Sequence, residues 1–466
     1  MKKKNVKNVK NVMMDYGDTG VEIEVPENAF IVTRRDPPSL PNPKEEFLKA
    51  VNNPIGMPPI HEFVSKGSRI TIAFDAPPRS GIPRRLAIPI ILKELAKTGI
   101  PDCNVTLICA AGTQRKRTAN ELREYLGDEI FDRFWPFRLK GHDCSQDLTY
   151  LGESELGDFV EYNSAVADSD ALFYLGTVVP VNWGGFTGTG VVIGLGSARS
   201  IESHHTEIIA HAESCHGDPR AMLYMKHKSA IHSQIEKATG KKIFYVDAAT
   251  NAKGEVCAVF AGHCPEILEP EWSQAETFFR VPVQQADVLI MGLPLKEIYG
   301  PTHNPLLALT YAAMVFRTWV NKPLIRKGGV VIILAKCNGT IDERLRPSDS
   351  EVIKLFGTCF SALDLKDFKE EFLTREDLIY RYRHCNAFHP IHPIWLFYED
   401  QYLLDYPGKV IFAGEVNPAA IRQLGCTPAR DFNQAWSMAL DIVGNNPNVT
   451  VVPRYFTRDR VQFFVD

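Results

Sequence analysis

From Ser68 onward, short β-rich runs ending in glycine or a polar loop alternate with segments whose apolar residues recur at helical spacing. No other feature restricts the fold as much. Strand–helix–strand repeats of this kind pack as mainly parallel sheets with helices on both faces. Ser68–Asp75, Val105–Gly112 and Asp170–Gly176 read as strands, and Arg84–Gly99 as a helix. A second helix opens with Thr118 and Glu121 in capping-box register and stops at Gly127. The pattern returns in the second half. Ala286–Gly292, the helical Asn304–Trp319 and Gly328–Ala335 make one pass; Lys409–Gly414, the helical Asp431–Gly444 and Val449–Pro453 make another.

At 466 residues the chain exceeds what one hydrophobic core usually supports. We therefore read two α/β domains with mainly parallel sheets, residues 1–270 and 271–466, and an interdomain active-site cleft. The boundary falls in Cys264–Val281, a Pro- and Glu-rich stretch with the weakest periodicity. Pro37–Pro43 and Pro54–Ile60 read as extended surface segments or a lid rather than core.

A net charge of -4 offers no broad attraction to nucleic acid or anionic lipid, so small molecules or other proteins are the expected partners, a homo-oligomer included. The ten cysteines are scattered without a C-x-x-C pair and read as small buried hydrophobes in a reducing compartment. The leader MKKKNVKNVKNV lacks the apolar core of a secretory signal, and no stretch has membrane-spanning length. The cytoplasm is the expected location.

Four segments carry residues suited to chemistry. FDAPPRSGIP places Asp75 and Arg79 directly after a strand, where a guanidinium can grip a carboxylate; the alternative is a turn with one salt bridge. AAGTQRKRTANEL delivers Gly112, Thr113, Gln114 and Arg115 to a strand–turn–helix junction that can face an anion, or that is simply a solvated connection. Six glycines between Pro180 and Gly196, without a G-K-[ST] sequence, permit close approach of backbone to a nucleotide, with tight structural turns as the competing reading. His204, His205, His211 and His216 match no standard zinc spacing, so one histidine contributing to a cofactor is the better expectation. His384, Cys385, His389 and His392 read as structural, and His303 sits in a polar turn before a helix.

The order of these segments, from about Ser68 to Pro453, resembles the nickel-pincer lactate racemase family. FDAPPRSGIP is similar to the family's D-x-x-R-P-x-P segment with one extra residue between Asp75 and Arg79. AAGTQRKRTANELREYLG is similar to its G-T-H-R-x-x-T-x-x-E-L-x-x-x-L-G segment. DALFYLGTVVPVNWGGFTGTG stands where the family has a strand, a histidine and a glycine-rich loop ending in lysine. SIESHH, ADVLIMGLP, RKGGVVIILA and the tail FAGEVNPAAIRQLGCTPARDFNQAWSMAL follow in the family's order.

The resemblance implies a nickel-pincer nucleotide bound between the domains and a racemase or epimerase of a 2-hydroxy acid acting by hydride transfer. It implies that Asp75, Arg79, Arg115 and Tyr299 bind substrate, that Gly184, Gly185, Thr187, Gly188 and Gly190 surround the cofactor, and that His205, or its neighbour His204, ligates nickel. Gln114 takes the place of the first catalytic histidine, Val181 or Asn182 that of the second, and Thr187, Thr189 or Val191 that of the tethering lysine. Gln114, His204 and His303 are then the expected catalytic set, with His142 as a further base. Two other readings compete: a carboxylate- or nucleotide-binding homologue without turnover, and a different enzyme acting on a phosphorylated or nucleotide ligand.

Overall fold

The computed structural model describes residues 9–181, 183, 185–210, 217–359, 361–455 and 459–466. In chain order the principal strands are β1 (Val9–Gly17), β2 (Thr19–Pro26), β3 (Phe30–Ile31), β4 (Ile70–Asp75), β5 (Val105–Ala110), β6 (Leu139–Gly141) and β7 (Ala171–Val178). They continue as β8 (Ile243–Thr250), β9 (Val256–Gly262), β10 (Ala286–Pro294), β11 (Ile325–Leu334), β12 (Lys409–Ala413), β13 (Thr427–Ala429) and β14 (Val449–Val452).

Two mainly parallel sheets organise the molecule as two α/β domains. The first has the order β9-β8-β7-β4-β5-β6, parallel throughout except for β9. The second runs β13-β12-β11-β10-β1-β2, with β14 joining β10 to β3. Central strands such as β4 and β8 are buried along their whole length, which explains their near-continuous apolar sequences. The first sheet takes all its strands from Ile70–Gly262, whereas β1 to β3, which also precede residue 270, pair in the second sheet. The chain thus begins by completing a sheet whose other strands lie beyond residue 285.

Sequence periodicity located the strands and helices around the site to within a few residues. The helix after β4 covers Ile82–Lys97, and the one after β5 covers Ala119–Leu126 with the complete Thr118–Glu121 capping box. One segment differs from expectation. Cys264–Val281 contains a helix, Leu268–Phe279: its one proline lies in the first turn, where no intrahelical donor is lost, and Leu268, Trp272, Ala275 and Phe279 are buried. Between the Pro-rich stretches, the helix Pro43–Asn52 buries Phe47 and Val51 against the first sheet's core. Pro43 fixes the helix start, while residues 38–42 before it are extended and mostly exposed, as expected. Among the described residues, no helix is long and apolar enough to cross a membrane, and the nine described cysteines are free.

Candidate active site

The carboxyl ends of β4, β5 and β7 and the side chains of β8 open on a cavity of about 150 Å³ closed from the other side by the second half of the chain. Strand carboxyl ends are where open α/β sheets place ligands. From the first half, Asp75, Arg79, Thr113, Gln114, Tyr174, Thr187, Gly188, Gly190, His205, Lys228 and Asp247 line it; from the second, Ile298, Tyr299, Trp395 and Arg460.

Asp75 ends β4 and is buried. Its carboxylate pairs directly with the fully buried Arg84 guanidinium, accepts a hydrogen bond from the Tyr125 hydroxyl at 3.2 Å, and lies 3.5 Å from Arg79 Nε. Asp75 is therefore chiefly the partner of Arg84, a residue the sequence reading did not single out. Arg79, with a quarter of its side chain exposed, is held only loosely and keeps donors for a ligand.

At the next junction Gln114 reaches the cavity, but its side-chain carbonyl accepts from Arg117 at 3.1 Å. Arg115, expected at substrate, instead bonds Glu121 at 3.0 Å as part of the helix-cap network and is not among the cavity-lining residues.

The glycine-rich loop divides in function. Gly188 and Gly190 line the cavity, but a Cβ on Gly190 would meet the Tyr174 ring at 2.4 Å, and one on Gly194 would meet the Tyr174 hydroxyl at 2.5 Å. These two glycines admit a tyrosine rather than leave space for a ligand. Gly185, at φ 71°, faces Pro219, where a Cβ would approach to 2.5 Å, and does not line the cavity. Thr187 Oγ1 donates to the Thr177 carbonyl and accepts from the Val179 amide at 3.0 Å. Gly184, also expected near a cofactor, lies outside the described residues, as do Asn182, His211 and His216.

The two adjacent histidines separate. His205 lines the cavity; its Nδ1 bonds the Ile201 carbonyl at 2.9 Å, which fixes the ring and leaves the lone pair on Nε2. Burial lowers its pKa to about 3, so the ring is neutral. His204 lies behind it, fully buried with ring centroids 4.8 Å apart, and is not a lining residue. His303 is also absent from the lining; its carbonyl accepts from the Gly339 amide at 3.0 Å. His142 is likewise occupied, bonding the Gly196 carbonyl at 2.9 Å and Asn163 at 3.2 Å. Two expected bases, His204 and His303, and the further base His142 are thus kept away from the cavity by packing and turn geometry that local sequence does not encode.

Residues the motif reading missed complete the site. Asp247 on β8 is buried, and burial above all pushes its pKa up to about 6. Burial, and then the neighbouring Asp247, raise Glu271 well above the carboxylate range. Two adjoining buried carboxyls cannot both ionise cheaply, so the pair retains a proton. Lys228 projects from the helix Leu223–Thr239, and Trp183, Tyr224 and Trp395 surround His205 at ring distances of 4.7, 5.4 and 4.8 Å. None of these stands in a recognisable motif; a lysine amid apolar helix neighbours was the one available signal. Among the described residues, no group of three or more His, Cys, Asp or Glu could hold a metal, so a metal at His205 would arrive with its other ligands.

Residues 16–217 match the family model described as the lactate racemase N-terminal domain. The curated lactate racemase of Thermoanaerobacterium thermosaccharolyticum is 21% identical, covering 95% of this chain and 97% of its own length. That of Lactiplantibacillus plantarum is 23% identical over 54% of this chain and 59% of its own. The solved lactate racemase apoprotein from T. thermosaccharolyticum superposes with a TM-score of 0.71 at 20% identity, covering 97% of this chain and 100% of that one. A Thermotoga maritima protein superposes with a TM-score of 0.59 at 13% identity, covering 93% and 100%. The chain thus carries a segment matching the lactate racemase N-terminal domain and is similar to a lactate racemase over nearly its whole length.

Proposed function

We propose that this chain is a racemase or epimerase of a small 2-hydroxy acid, working in the cytoplasm with a nickel-pincer nucleotide. The observation that carries the reading is the convergence of Arg79, the Thr187–Gly190 segment and His205 on one cavity closed by Tyr299 and Trp395. The donor set fits the group: His205 supplies one neutral, oriented imidazole for the metal, and Thr187 and Gly188 would flank the nucleotide. When bound, the cofactor supplies reversible hydride acceptance at the carbinol carbon.

The chain's own residues do the rest. Arg79 grips the substrate carboxylate through its free donors. Ile298, Tyr299 and Trp395 exclude water and let a planar 2-oxo acid present either face. Asp247, backed by Glu271, takes up and returns the hydroxyl proton, a task that a carboxyl with a pKa near 6 performs at neutral pH. This assignment replaces His204 and His303, which do not line the cavity.

Protein co-produced with the cofactor's biosynthetic enzymes is expected to hold about one nickel per chain, as a single site requires, and to racemise one or more 2-hydroxy acids while keeping the label of a substrate deuterated at the carbinol carbon. His205→Ala is expected to abolish nickel retention. A nickel-free, nucleotide-free protein after such co-production would overturn the reading. One observation favours the alternative of a carboxylate- or nucleotide-binding homologue without turnover: Gln114, held by Arg117, cannot exchange a proton. Ligand binding without racemisation would select it.

A further inference from the structure

Lys228 is 3% exposed, yet it lines the cavity, and among the described lining residues it is the one lysine. Burying an ammonium is costly, and proteins keep one where its charge is matched or its amine is used. Lys228 Nζ donates to the Gly188 carbonyl and lies 5.7 Å from the Tyr224 ring centroid. Neither contact supplies a counter-charge. Asp247 and Glu271 stand nearby, but as a pair they retain a proton and offer less than two full negative charges. Burial pulls Lys228 down to about 8, the Arg79 cation acts in the same direction, and Cys264, Asp247 and Glu271 oppose it. A desolvated lysine beside another cation, facing a cavity, has the attributes of an amine that attacks carbonyl carbon.

We infer that Lys228 condenses with a small 2-oxo acid to form an imine, with Arg79 holding the acid's carboxylate and the Asp247–Glu271 pair serving the proton transfers. The neutral amine adds its lone pair to the carbonyl carbon, and a proton passes from nitrogen to oxygen to give a carbinolamine. Its hydroxyl then leaves as water, protonated by the carboxyl pair, as the C=N bond forms. No redox partner is needed. The inference concerns an amine that the proposed hydroxy-acid chemistry does not use, and it needs no cofactor.

The test is reductive trapping on the full chain without added metal or nucleotide. Incubation with pyruvate and sodium cyanoborohydride, whose hydride reduces the C=N bond, adds the mass of one pyruvate less one oxygen atom at each trapped lysine. Lys226, exposed on the same helix, serves as an internal reference. Trapping at Lys228 is expected to be at least about tenfold faster than at Lys226, given the lowered basicity and the enclosed site. Arg79→Ala is expected to slow trapping of pyruvate more than that of acetaldehyde, which has no carboxylate. Lys228→Arg, which keeps the cation, should remove the adduct while leaving the Lys226 background. The wild-type ratio of Lys228 to Lys226 stands whether or not that variant folds. Equal labelling of the two lysines, or a folded wild-type chain with Lys228 unlabelled, would overturn the inference and leave the hydroxy-acid reading to its own test.

Discussion

The wall contributed by the first sheet carries Asp75, Arg79, Lys228 and Asp247, whereas the facing wall from the second half is Ile298, Tyr299 and Trp395 with Arg460 as its charged member. The ionic wall is anchored in regular structure, with Asp75 ending β4, Asp247 within β8 and Lys228 on a long helix. The opposite wall is an aromatic cluster in which Trp395 meets His205 and His392 at tilted angles and Tyr299 edge-on, with ring centroids 4.8, 4.5 and 6.4 Å away. Charges in a low-dielectric pocket need rigid partners, while an aromatic cover needs only shape and apolar area. The division assigns orientation and proton handling to one half and closure to the other.

The largest effect should come from breaking the ionic wall at its root. Arg84→Met leaves the Asp75 carboxylate buried without its main partner and should cost about 3–5 kcal/mol in denaturant unfolding. A loss below about 1 kcal/mol would mean that Tyr125 and Arg79 suffice. On the aromatic side, Trp395→Ala should cost about 3 kcal/mol through the cavity it leaves. It should also raise access of water-soluble quenchers to Trp183, which lies 6.3 Å away; unchanged quenching would show that the cover does not depend on Trp395.

A smaller effect is expected from pH at the seam between the halves. His389 bonds Ser145 at 3.1 Å, and its amide donates to the Thr113 carbonyl at 3.1 Å. Burial lowers its pKa from the ordinary 6.5 to about 3. Below pH 6.5 the unfolded chain takes up a proton that the folded chain refuses, so stability is full above that value and declines as pH falls toward 3. His142, lowered by burial to about 4, behaves alike. Each should remove about 1.4 kcal/mol between roughly pH 7.5 and 5.5, read as a change in unfolding midpoint that shrinks in His389→Gln. The smallest change in stability belongs to Arg79→Lys. This substitution should shift unfolding by less than about 0.5 kcal/mol yet weaken binding of a 2-hydroxy acid about tenfold or more, because the bidentate fork is lost. Equal binding by both variants would move the carboxylate contact elsewhere, with Arg460 the next candidate.

Much of the frame was legible in the linear order. Apolar runs of strand length, helical spacing and the Thr118–Glu121 cap fixed β4, β5 and β7 and the helices that follow β4 and β5, because these signals are local. Asp75 and Arg79 were legible because a marked strand ends there, and His205 because it sits in a histidine cluster within SIESHH. The proline-bearing helix Leu268–Phe279 was not, since its helical character depends on burying Leu268, Trp272, Ala275 and Phe279 against partners distant in sequence. Glycine density misled in part: Gly190 and Gly194 make room for Tyr174, and no reading of the loop alone could know what packs against it.

By itself, then, the sequence determined the two-sheet α/β architecture, its resemblance to lactate racemases and the strand ends from which a site would be built. Periodicity and turn chemistry are properties of neighbouring residues. Only the tertiary structure decided that Arg84 rather than Arg79 neutralises Asp75, that His204 turns away while His205 faces inward, and that Lys228, Asp247 and Trp395 meet around one cavity. Those outcomes depend on which side chains share a desolvated volume, and residues more than a hundred positions apart acquire that relation only when the sheets pack.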